Sequence, residues 1–105
     1  MARVFVDARN VLRSRWPNLG EDELVGLAEA WAEQHGHELV LVFDGKAPAG
    51  AIGSGGESAD DWLIREVPKH PGAWLVTSDR ALRDQAGQNT ARIIGGGSFL
   101  GELEK

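Results

Sequence analysis

Three aspartates follow apolar runs: Asp7 closes VFVD, Asp44 closes LVLVFD, and Asp79 lies two residues past a third run in WLVTSD. A second acidic group sits in GGESADDW, where Glu57 precedes Asp60 by three residues and Asp61 by four. Those three share one face if helical geometry reaches back to Glu57. Carboxylates gathered this closely repel one another unless a divalent cation neutralises them, and Mg2+ or Mn2+ prefers such hard oxygen ligands completed by water. The chemistry open to such a cluster is metal-assisted hydrolysis, in which the ion acidifies a water and stabilises charge on a phosphoryl group.

The elements that must position these acids alternate along the chain as βαβαβαβα. Strands are expected at Arg3–Asp7, Glu38–Phe43, Ala73–Thr77 and Ala91–Ile94; the second and third are nearly continuous apolar runs, as in a parallel sheet covered on both faces. An irregular turn through Pro17 leads to a helix from about Glu21 to His35, where Leu24, Leu27, Ala28 and Trp31 at i, i+3, i+4 and i+7 make one apolar stripe before Gly36. Residues 45–56, rich in Gly, Ala and Pro, read as a flexible loop. Ser58, with Asp61 three residues on, caps a helix running to Val67 before Pro68; another runs from Asp79 to Ala86, and Ser98 starts a last short one. In an open parallel sheet the ligand crevice lies beyond the carboxyl ends of the strands, so Asp7, Asp44 and Asp79 are directed to one place.

Each acid also has an ordinary structural reading. Ser58, Asp60, Ser78 and Asp79 stand where helix capping occurs, and Asp44-Gly45 is a common turn pair. Asp7 resists this, because a carboxylate directly after a buried strand must be paired or neutralised. Other candidates carry less. His35 and His37 flank a helix end with no further His or Cys nearby in sequence, and GAIGSGGES lacks the lysine of a P-loop. GGGS at 95–98 is a turn whose amides could meet a phosphate. Of the four tryptophans, Trp16, beside Arg13 and Arg15, is the candidate base-stacking platform; Trp31, Trp62 and Trp74 read as packing.

The 105 residues, 42% of them hydrophobic, describe one domain, 1–105. No apolar run approaches the roughly 20 residues that span a bilayer, and MARVFVD turns polar too early for a signal peptide, so a cytoplasmic protein without membrane contact is expected. The absence of cysteine excludes disulfides and thiolate metal sites. A net charge of −5 argues against a general nucleic-acid coat protein. The balance is uneven, however: residues 1–20 carry Arg3, Arg9, Arg13 and Arg15 against Asp7 alone, whereas residues 21–38 carry six acids and no Lys or Arg. A basic end beside an acidic helix could orient a polyanion toward one face, although any single charge reads more simply as part of a scattered solvated surface.

Taken in order, VFVDARNVLRS, LVFDG, ESADDWLIRE and WLVTSDRAL resemble the NYN domain family of PIN-like ribonucleases, within it the YacP-like branch, over nearly the whole chain. The resemblance implies a Rossmann-like PIN fold, an α/β sheet of about four parallel strands flanked by helices, a Mg2+ or Mn2+ cofactor, and endoribonuclease activity. By position it implies Asp7, Asp60 and Asp79 as catalytic metal-binding acids, with Asp44, Glu57 and Asp61 ligating directly or in support. Asn10 matches the family's opening motif and would orient Asp7 or a phosphate, while Thr77 and Ser78 match polar positions beside the last acid. Arg9, Arg13, Arg15 and Arg80 are the candidates for holding RNA phosphates. Ala8 and Arg9 replace the Gly and Tyr of the usual Asp-Gly-Tyr-Asn, which removes an aromatic contact. The short stretch before Glu57 reduces to AIGSGG a strand and substrate loop common in relatives. Two rivals stand beside this reading: a non-catalytic NYN-like module that binds RNA or protein, and a metal-dependent phosphatase, disfavoured by the lack of a DxD pair after the first strand. The oligomeric state stays open, a homodimer included.

Overall fold

The computed structural model describes residues 1–105. Five strands form one all-parallel sheet: β1 (Arg3–Asp7), β2 (Glu38–Phe43), β3 (Ile52–Gly53), β4 (Trp74–Val76) and β5 (Arg92–Ile94), in the order β3-β2-β1-β4-β5. The helices are α1 (Ala8–Arg13), α2 (Glu21–His35), α3 (Ala59–Glu66), α4 (Arg80–Ala86) and α5 (Gly96–Leu103), with a 3₁₀ turn at Val67–Lys69 after α3. None is long and apolar enough to cross a membrane.

The period-two alternation of strand side chains divides the core between the two faces of the sheet. Val4, Val6, Leu41, Phe43, Val76 and Ile94 face α1, α2 and α5, where Val11, Leu24, Ala28, Trp31 and Phe99 close over them. Phe5, Val42 and Leu75 point the other way, against Ala59, Leu63, Leu82 and Ala86 of α3 and α4. Central β1 is covered on both faces, and its five residues pair with Glu38–Val42 of β2 on one side while Val4–Val6 pair with Trp74–Val76 of β4 on the other. That register brings the carboxyl ends of β1, β2 and β4 to one edge.

Two segments differ from their sequence expectations. The turn expected after Asp7 is the six-residue helix α1, which buries Ala8 and Val11 against the core. The loop expected to be flexible contains β3, which pairs Ile52 and Gly53 with Val42 and Phe43. Buried Ser54 fastens it: its hydroxyl accepts from Gly45 N at 2.9 Å and donates to Glu57 O at 2.6 Å, while its amide donates to Phe43 O. The backbone folds back so tightly that a Cβ at Gly53 would collide with the carbonyl of Gly45. Ile52 and Gly53 of this strand lie within the AIGSGG stretch, where the sequence pointed to a reduced strand and loop.

Candidate active site: an acidic pocket at the strand ends

Asp7 is the last residue of β1 and stands where α1 begins, so its side chain emerges at the carboxyl edge of the sheet. It is only 6% exposed, and its Oδ2 accepts a hydrogen bond from the Thr77 hydroxyl at 3.2 Å. Asp79, at the N-cap of α4, accepts from Leu82 N at 3.1 Å through Oδ1, and its own amide donates to Thr77 Oγ1 at 3.1 Å. Thr77 thus ties the two acids together. Asp44 follows β2 and joins two elements: Oδ1 accepts from Ala59 N at the start of α3, and Oδ2 lies 3.3 Å from Arg9 Nε. Asp60, in the first turn of α3, completes the set.

These four aspartates line one pocket of about 230 Å3, together with Arg9, Asn10, Arg13 and Ser58 and with no apolar side chain. Like charges under partial burial are felt most at Asp7, whose carboxyl is pushed up to about 6, first by burial and then by Asp60, with Asp44 adding less. Hydrogen bonds from the Asn10 backbone and Thr77 hold it back from rising further. Asp60 is raised as well, by burial and then by Asp79, Asp44 and Asp61. Asp7 has no Lys or Arg within ion-pair distance, so its negative charge is offset by hydrogen bonds alone.

The remaining predicted residues divide. Asn10 lies in the pocket wall, where its Oδ1 accepts from Ser78 N at 2.8 Å; Ser78 Oγ in turn accepts from Gly96 N at 2.8 Å. The approach of α5 is so close that a Cβ at Gly96 would strike Asn10 Oδ1. Ser58, read from sequence only as the cap whose Oγ accepts from Asp61 N, also lines the pocket, and nothing beyond its capping signal announced that.

Five further predicted residues stand outside the pocket lining. Helix α3 begins at Ala59 with Ser58 extended, so helical geometry does not reach Glu57; that side chain turns to Arg65 at 2.6 Å, which holds its carboxyl low. Asp61, one residue round the helix from Asp60, is exposed and outside the pocket lining. Arg15 is ion-paired with Glu104. Thr77 is fully buried, so it can reach a substrate only through the acids it orients. Exposed Arg80, next to Asp79, is outside the pocket lining too.

A hard divalent cation can be tested against this donor set. As the side chains stand, no three His, Asp or Glu groups close around one point as ligands would. The donor chemistry does fit: all-oxygen groups carry excess negative charge, and a buried carboxylate among them lacks a cationic partner.

Fold and pocket together define a Rossmann-like α/β protein with an acidic pocket over the carboxyl edge of its parallel sheet. No family model matches the sequence, and no curated protein matches it. Among solved structures, the chain is similar to the crystal structure of Rae1 (YacP) from Bacillus subtilis, with a TM-score of 0.74 at 19% identity over 99% of this chain and 74% of that one. It is likewise similar to the W164L mutant of Rae1, with a TM-score of 0.79 at 20% identity, covering 99% and 76%. The fold is that of YacP, as the four sequence motifs implied.

Proposed function

We propose that this chain is a YacP-like, divalent-metal-dependent endoribonuclease. One observation carries the reading: four aspartates from four separate segments line one polar pocket at the strand ends, and the most buried of them has no cationic partner. Asp7, Asp60 and Asp79 would hold Mg2+ or Mn2+, with Asp44 in support. When bound, the ion supplies Lewis-acid chemistry that makes water a nucleophile and steadies charge on the phosphodiester. The chain's own residues do the positioning. Thr77 orients Asp7 and Asp79, Asp44 anchors the start of α3 that presents Asp60, and Asn10 holds the loop before Asp79 through Ser78 N. Arg9 and Arg13, in the pocket wall, offer charge to the flanking phosphates.

A second reading has its own support. Asp44 and Asp79 already serve as caps, and no three acids of the pocket are placed as ligands of one ion, which suits a binding module whose acids serve folding. Labelled single-stranded RNA and DNA incubated with Mn2+, Mg2+ or EDTA separate the two. Cleavage of RNA that needs metal supports the nuclease. RNA binding in EDTA with no cleavage in Mn2+ would replace it with the module.

A further inference from the structure

The acidic pocket has a difficulty with the substrate proposed for it. Four carboxylates repel a polyanion, and the lining holds no ring on which a base could rest. Grip must come from the surroundings. Most arginines are already engaged: Arg9 by Asp44, Arg15 by Glu104, Arg3 by Glu38, Arg65 by Glu57 and Glu66, Arg83 by the Thr77 carbonyl, and Arg92 over the Trp74 ring at 4.9 Å. Arg13 and Arg80 have no such partner, and of these two Arg13 lines the pocket.

Just past the end of α1, three residues beyond Arg13, stands Trp16, 86% exposed. Trp31 is buried, and Trp62 and Trp74 are half-buried against the core. Three residues of chain span at most about 11 Å, so the backbone of Trp16 lies no farther than that from the backbone of Arg13 at the pocket. Leaving a ring of that size in water forgoes the burial of roughly 150–250 Å2. An unpaired guanidinium beside an uncovered indole matches the two parts of a nucleotide, phosphate and base.

We propose that Arg13 and Trp16 form a subsite for one unpaired nucleotide next to the acidic pocket, Arg13 taking the phosphate and Trp16 stacking on the base. This rests on the reading that the pocket acts on RNA, and it narrows the substrate to RNA single-stranded beside the cleaved bond. A base inside a duplex is already stacked and cannot reach the ring.

Binding of a labelled single-stranded oligoribonucleotide, measured in EDTA, tests it. Trp16→Ala should weaken binding roughly ten- to a hundredfold, and Trp16→Phe should keep most of the affinity, since any flat ring can stack. The salt slope should be unchanged in Trp16→Ala and reduced by about one in Arg13→Ala, which separates stacking from phosphate contact. A duplex of the same sequence should bind Trp16→Ala and wild type alike. Equal single-strand affinity in Trp16→Ala and wild type would overturn the subsite, as would a wild type that binds no single strand. A Trp16→Ala protein whose self-association in solution differs from wild type would assign the indole to a protein contact instead. Binding is read in EDTA and cleavage in Mn2+, so the two readings fail separately. A wild type that shows these binding effects without cutting keeps the subsite and loses the nuclease. One that cuts while Trp16→Ala binds normally loses only the subsite.

Discussion

Replacing Asp7 by Asn should make the metal-free protein more stable, although it alters a buried polar residue in the central strand. The Asp7 carboxyl is raised from 3.8 to about 6, by burial first and then by Asp60. The folded protein therefore binds this proton more tightly than the unfolded chain does. Asp7 costs no stability where it is protonated in both states, and its cost grows as pH rises from about 4 through about 6 and then stays. A shift of about two units corresponds to about 3 kcal/mol at neutral pH. Asn has the same shape and keeps an oxygen to accept from Thr77, but its amide hydrogens need partners, which reduces the net gain to about 1–3 kcal/mol. Urea denaturation of both proteins in EDTA should show that difference at about pH 7.5 and lose most of it at about pH 4. An Asn variant less stable than wild type at the higher pH, or a difference that does not change with pH, would refute the account of an uncompensated buried charge.

The sign should reverse with metal: millimolar Mn2+ is expected to raise the melting temperature of wild type but not of Asp7→Asn, because only a ligand of the native state stabilises it by mass action. Glu57→Gln should keep the Mn2+ response intact, since that carboxylate is held by Arg65 outside the pocket; a lost response would restore Glu57 to the ligand set. Asp79→Asn should lower the single-turnover cleavage rate by orders of magnitude with RNA binding little changed, and with the fold kept because Asn caps a helix as well as Asp does. Gly96→Ala should destabilise the protein by about 1–3 kcal/mol in urea denaturation, because its Cβ would overlap Asn10 Oδ1; a neutral result would show that Asn10 yields without disturbing Ser78.

The parallel α/β order and the placement of Asp7, Asp44 and Asp79 at strand ends were readable in the chain, because both follow from short-range pattern. Apolar runs of strand length separated by a helical stripe leave few ways to build a sheet, and the residue after each run must emerge at its carboxyl edge. The cap at Ser58 and the stop at Gly36 are equally local. Helix α1 and strand β3 were hidden because each is stabilised by what it packs against: α1 by burying Ala8 and Val11, β3 by Ser54 and the tight return to Gly45. Partner choice was beyond sequence for the same reason. Arg13 and Arg15 look alike in the chain, yet Glu104, 89 residues from Arg15, takes that one and leaves Arg13 at the pocket. Asn10 meets Ser78 across 68 residues, and Thr77 reaches Asp7 across 70. Local periodicity determines which face of an element is apolar, but which side chain across the fold satisfies a given charge depends on how those faces dock, and only the packed structure decides that.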